Sequence, residues 1–137
     1  GLWAAQQGGR ALWAVPAAFV GAMALGAGLA AAGLLLPYVE TGIAASVLVL
    51  GLLIAMQQQW GIAIGIAIAA GFALFHGYAH GLDMPQTASF AAYAGGFVLT
   101  TLTLHGAGLT IGLIGRRAVQ IAGAGLAAGG LALVLAF

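Results

Sequence analysis

Charged side chains are almost absent from this chain: three arginines and two acidic residues stand among its 137 residues. A water-soluble domain carries roughly 25% charged residues, whereas the charged fraction here is 4% and the hydrophobic fraction is 64%. So few charges could not hydrate the surface of a folded chain, which means that lipid must take the place of water around it. The sequence therefore predicts an all-α integral membrane protein, a polytopic bundle of transmembrane helices.

Polar residues and prolines interrupt the apolar sequence and divide it into five predicted spans within a single transmembrane domain. A transmembrane helix needs about 20 apolar residues, so the connections between spans must be short. The predicted spans cover residues 11–36, 42–56, 61–81, 86–115 and 118–137. Residues 1–5 are interpreted as the tail of a preceding helix, and because the chain starts without a methionine we expect a processed or partial product.

Small residues provide the predicted contacts between the helices. The chain has 24 glycines, and small residues let helix backbones approach closely where lipid removes the hydrophobic drive for association. We therefore expect the partners of each helix to be the lipid bilayer and other helices, packed through glycine and alanine faces. The predicted packing pairs are Gly61/Gly65, Gly77/Gly81, Gly108/Gly112 and Gly125/Gly129.

The composition and motifs exclude several classes of function. A net charge of +1 offers no basic surface for nucleic acid. The sequence has no phosphate-binding loop and no Gly-x-Ser-x-Gly motif, which argues against an ATPase and against an intramembrane serine enzyme. The absence of cysteine excludes a thiolate metal site. We therefore expect neither an enzyme nor a tightly bound cofactor.

The three arginines predict how the bundle lies in the membrane. If the loop that holds Arg10 is cytoplasmic, four crossings return the chain to the same side at Arg116 and Arg117. This arrangement agrees with the positive-inside rule. The loops that hold Glu40 and Asp83 then lie outside, and we expect the membrane to be a bacterial inner membrane.

The strongest candidate site is a pair of histidines in the third predicted span. His76 and His80 are four residues apart, so their rings project from one face of a helix. Asp83 follows on that face if the helix continues through Gly81, and a stripe of small residues, Gly65, Ala69 and Ala73, carries the face back into the bilayer. Because imidazoles are costly to expose to lipid, we expect this face to pack inward.

The spacing of these residues leaves three interpretations open: metal binding, structural hydrogen bonding to neighbouring carbonyls, and proton relay. Two imidazoles and a carboxylate suit a divalent ion such as nickel, cobalt, zinc or copper. A zinc hydrolase is disfavoured, because Gly77 occupies the position where a His-Glu-x-x-His motif has its general base.

A third histidine, His105, lies inside the fourth predicted span and shares its face with Thr101, Gly108 and Gly112. One interpretation is a packing seam in which histidine and threonine hydrogen-bond across helices. The other is a second metal-contacting position for an ion that leaves the outer histidines.

Residues 75–81 (FHGYAHG), followed by the acidic Asp83, resemble the signature of the HupE/UreJ family of small membrane proteins. The flanking stretches GLWAAQ, RALW, PAAFVG, SVLVLG and LHGAG are similar to that family as well. The resemblance implies a secondary permease for nickel or cobalt that supplies the maturation of hydrogenase or urease. It also implies that His76, His80 and Asp83 contact the transported ion.

Two features depart from the family pattern. The family usually has glutamate at the position of Asp83, and its first-helix motif, His-x5-Asp-His, does not occur in this chain. The second departure supports an alternative to transport, a non-transporting structural or accessory subunit of a larger membrane complex. The leading interpretation remains a permease for a divalent transition metal, Ni²⁺ or Co²⁺, in which the outer cluster captures the ion and His105 assists its passage inward.

Overall fold

The computed structural model describes residues 1–85, 87 and 89–136, and over these residues it consists of six helices without strands. They are α1 (Leu2–Gln7), α2 (Ala11–Ala31), α3 (Val39–Ala55), α4 (Ile62–Leu82), α5 (Phe90–Ile114) and α6 (Arg116–Leu135). Helices α2, α4, α5 and α6 are long and apolar enough to cross a membrane, and α3 is a shorter apolar helix of 17 residues. The predicted all-α membrane bundle is thereby confirmed.

Helix α2 ends at Ala31, earlier than the predicted span 11–36. Gly33 adopts a left-handed conformation with φ 71°, and the Leu34 amide donates to the Leu29 carbonyl at 3.1 Å. This is the hydrogen bond of a Schellman motif, which closes the last turn and turns the chain away from the helix axis. The predicted span runs on to residue 36 because residues 34–36 are apolar, and hydropathy alone does not distinguish a helix from an apolar loop.

The remaining helix ends also differ from the predicted spans by a few residues. Helix α3 begins at Val39, before residue 42, and α6 begins at Arg116, directly after Gly115 with φ 134°. Glycine tolerates this φ, so α5 and α6 are joined without a longer loop. The predicted boundaries at Gln86 and Phe137 lie outside the described residues.

Helices α2 and α4 pack backbone against backbone. A Cβ atom added at Gly77 would overlap the Met23 carbonyl, and one added at Gly26 would overlap the Leu74 carbonyl. The predicted small-residue stripe of α4 is buried in this region; it consists of Gly65, Ala69 and Ala73. Glycine therefore brings α2 and α4 closer together than any other residue would allow.

Helices α3 and α6 form a second close pair. A Cβ atom at Gly51 would overlap the Ala127 backbone, and one at Gly130 would overlap the Leu48 backbone. The predicted packing of the pair Gly125/Gly129 is wrong, because no described residue lies within 4 Å of a Cβ atom at either glycine. The face of α6 that meets α3 lies about half a turn away, and its buried residues are Val119, Gly123, Ala127 and Gly130.

We predict that Gly77→Ala separates α2 from α4 and lowers the free energy of unfolding. The new methyl group meets a backbone carbonyl, which cannot rotate away, so the loss should be about 1–3 kcal/mol. The matched control is Gly71→Ala on the same helix, where a Cβ atom has nothing within 4 Å and alanine favours the helix. Unfolding of both variants in detergent, followed by circular dichroism, tests this; equal stability would contradict the packing described.

Candidate metal site

A cavity of about 570 Å³ lies between the helices and is lined by residues from all six of them. The three histidines of the chain, His76, His80 and His105, all line this cavity. His80 stands in the last turn of α4, His76 lies one turn deeper, and His105 lies near the middle of α5. The fold thus places His105 of α5 at the same cavity as the two histidines of α4. The sequence alone could pair only His76 with His80, because these two lie on one helix.

Hydrogen bonding orients two of the imidazole rings. Nδ1 of His105 lies 2.9 Å from the Thr101 carbonyl oxygen, and Nδ1 of His76 lies 3.4 Å from the Phe72 carbonyl oxygen. A carbonyl only accepts, so the hydrogen of each neutral ring is carried by Nδ1. The Nε2 atom of each ring is then left with a free lone pair, the state in which histidine binds a metal.

Aromatic rings lie beside all three imidazoles. The Phe19 ring of α2 has its centroid 5.0 Å from the His105 ring and 6.3 Å from the His76 ring. The Phe97 ring of α5 has its centroid 5.0 Å from the His80 ring. These phenylalanines restrict the orientations open to the imidazoles, and Phe19 links the histidines of α4 and α5 across the cavity.

Asp83 and Glu40 lie at the end of the bundle and do not line the cavity. Helix α4 does continue through Gly81, and Asp83 is its exposed C-cap residue. Within the part of the chain that the structure describes, no three histidine, aspartate or glutamate side chains come together as a metal-binding group. The predicted set of His76, His80 and Asp83 is therefore not assembled around one point, and their metal roles stay a prediction.

The polarity of the lining limits the chemistry of the cavity. Its polar side chains are the three imidazoles, the Trp3 indole and the hydroxyl groups of Ser46 and Thr101, and the described lining has no aspartate, glutamate, lysine or arginine. Ser46 already donates to the Ile43 carbonyl at 2.6 Å. Among the side chains of the lining, the imidazole nitrogens are therefore the strongest metal ligands, and nitrogen ligands suit nickel, cobalt, copper and zinc better than magnesium or calcium.

Sequence reasoning did not single out Phe19, Phe97 or Ser46 as parts of the site. Each lies in an apolar span, and neither its spacing nor its residue type distinguishes it from a packing residue. The only signal was the position of Phe19 as a large ring in a helix rich in alanine and glycine. Thr101 was identified with His105, and the structure places its carbonyl against that ring.

Comparison with known proteins agrees over nearly the whole chain. The family model described as HupE / UreJ protein matches residues 1–133. Protein HupE of Rhizobium leguminosarum bv. viciae is 39% identical over 140 residues, an alignment that covers 98% of this chain and 73% of that protein. No solved structure matches the chain. On the extent of the family match and the identity to this relative, the chain belongs to the HupE/UreJ family.

Proposed function

We propose that this protein is a secondary permease for a divalent transition metal, with Ni²⁺ as the substrate, which supplies the maturation of hydrogenase or urease. The observation that carries the proposal is the convergence of all three histidines on one cavity between apolar helices. Membership of the HupE/UreJ family and the identity to a HupE protein support it. The absence of a nucleotide-binding motif favours passive or ion-coupled transport over ATP-driven transport.

The order of the histidines along the cavity supports a stepwise passage. Asp83, exposed at the end of α4, attracts a cation to the end of the helix. The ion then exchanges some of its water ligands for the imidazole nitrogens of His80 and His76. His105 receives the ion deeper in the bundle. Such a relay needs no three-ligand group at one point, because each step requires only that one ligand be gained as another is lost.

The alternative is a structural or accessory subunit without transport. The observation that favours it is the lack of an assembled three-ligand metal group within the described residues. A resident metal centre would require such a group, whereas a transported ion must be bound weakly enough to leave. We therefore favour transport.

We predict that His76→Ala or His80→Ala abolishes saturable Ni²⁺ uptake and that His105→Ala slows it less. Each of the first two variants removes an imidazole from the half of the cavity near Asp83. The assay is uptake of radioactive nickel into cells that lack other nickel carriers, with the protein expressed from its complete reading frame. The control is Thr103→Ala on α5, whose exposed hydroxyl donates to the Leu99 carbonyl of its own helix. Normal uptake by a well-expressed His76→Ala/His80→Ala double variant would rule out this mechanism.

We predict opposite outcomes for two substitutions of Asp83. Asp83→Glu keeps the charge and gives the residue that the family usually has, so uptake should persist. Asp83→Asn removes the charge at almost constant size, so the nickel concentration at half-maximal uptake should rise. The same uptake assay over a range of concentrations measures both variants. An Asn variant with unchanged half-saturation would show that the carboxylate takes no part in capture.

We predict that the Arg10 and Arg116–Arg117 segments lie on the cytoplasmic side of a bacterial inner membrane. Two contacts support a common side: the Gln57 amide donates to the Arg116 carbonyl at 3.1 Å, and the Gln59 amide donates to the Gln6 carbonyl at 2.9 Å. The chain has no cysteine, so single cysteines at positions 10 and 116 can be labelled with an impermeant maleimide. Labelling of these two positions from opposite faces would contradict the arrangement.

A further inference from the structure

A second, smaller cavity of about 210 Å³ lies at the end of the bundle where α1, the turn after α3, α5 and α6 meet. Three glutamines line it, Gln6, Gln57 and Gln59, together with Arg116. Gln58, in the same turn as two of them, does not line it. These glutamines take no part in the metal capture and passage proposed above.

The amide nitrogens of the three glutamines are all engaged. Gln6 donates to the Ile54 carbonyl at 2.7 Å, Gln57 to the Arg116 carbonyl at 3.1 Å, and Gln59 to the Gln6 carbonyl at 2.9 Å. Rotating any of these amides by half a turn would place two carbonyl oxygens against each other. The orientation of each side-chain amide is therefore fixed, and each keeps its oxygen for another partner.

The oxygen of Gln6 has no such partner. Its Oε1 atom is buried and makes no hydrogen bond among the described residues. A buried carbonyl oxygen that lacks a donor is costly, and the side chain that carries it lines the cavity. Water molecules, or the water shell of a cation, would satisfy this oxygen.

The cavity lined by the three glutamines (the glutamine cavity) adjoins the larger cavity lined by the three histidines (the histidine cavity) along α1 and α5. Ala4 and Ile111 line the histidine cavity, whereas their neighbours Ala5 and Gly112 line the glutamine cavity. A Cβ atom at Gly112 would overlap the Ala5 methyl group. The two cavities thus have neighbouring residues of α1 and α5 in their linings, at a point where these two helices are in direct contact.

We infer that the glutamine cavity is the release site of the transported ion, where Ni²⁺ regains its water shell before it leaves the protein; this rests on the proposed function. Neutral amide oxygens are weaker ligands for nickel than imidazole nitrogen. The positive charge of Arg116 beside the cavity shortens the stay of a cation. An ion that moves from the histidines to this cavity is therefore bound less tightly, as release requires.

The test uses initial rates of radioactive Ni²⁺ uptake into intact cells over a range of concentrations. Gln6→Met keeps the length of the side chain and removes the amide. The maximal rate should fall about threefold to tenfold, as expected for one lost polar contact on the pathway. The concentration at half-maximal uptake should stay within twofold of wild type, because the capturing histidines are untouched. Gln58→Met, the matched control from the same turn, should transport normally.

Expression level and melting temperature in detergent separate a folding defect from a transport defect. If Gln6→Met fails to fold, Gln59→Met decides the question, because Gln59 is exposed at the rim of the same cavity. A well-folded variant with the wild-type maximal rate would show that the cavity holds structural water only. A change confined to half-saturation would place the glutamines in capture and overturn the inference. Absence of saturable uptake by the wild-type protein would instead remove the proposed function, and the release site with it.

Discussion

Direct contact between helix backbones at glycine determines how this bundle is arranged. In lipid the apolar side chains gain little by leaving their surroundings, so association depends on close packing. Gly77 lets α4 lie against the Met23 carbonyl of α2, and Gly51 lets α3 lie against the Ala127 backbone of α6. These contacts use no side-chain volume. The larger side chains are left to face lipid or the space between the two pairs, and the histidine cavity lies in that space.

The histidine cavity is lined by uncharged side chains, among them imidazoles, a side-chain type that can bind metal ions. An ionised side chain in the bilayer is costly even when it serves a function, and the described lining of this cavity has none. Neutral imidazoles with Nδ1 bonded to the carbonyls of their own helices can be buried without a counter-ion. Under the proposed function, the same rings offer Nε2 to the transported divalent ion.

The sequence was sufficient for the fold class, for the buried stripe of α4 and for the use of Gly77 and Gly81 as packing positions, because these depend on periodicity along one helix. Helix ends were less predictable, since left-handed residues such as Gly33 end a helix inside an apolar run. The rotation of α6, which turns Gly125 away from α3, depends on its partner rather than on its own sequence. The meeting of His105 with His76 beside Phe19 likewise requires knowing which helices are neighbours, and only the tertiary structure supplies that.

The shortness of α3 has a consequence for the thickness of the membrane around it. Seventeen residues span about 26 Å, less than the roughly 30 Å of an average hydrocarbon layer. Such hydrophobic mismatch is relieved when lipids compress next to the short helix or when its polar ends sink below the headgroups. Either response places the polar turn after α3 closer to the bilayer centre than the ends of the longer helices. Under the proposed function, the dielectric barrier that a divalent ion meets beside α3 is therefore thinner than the bilayer itself.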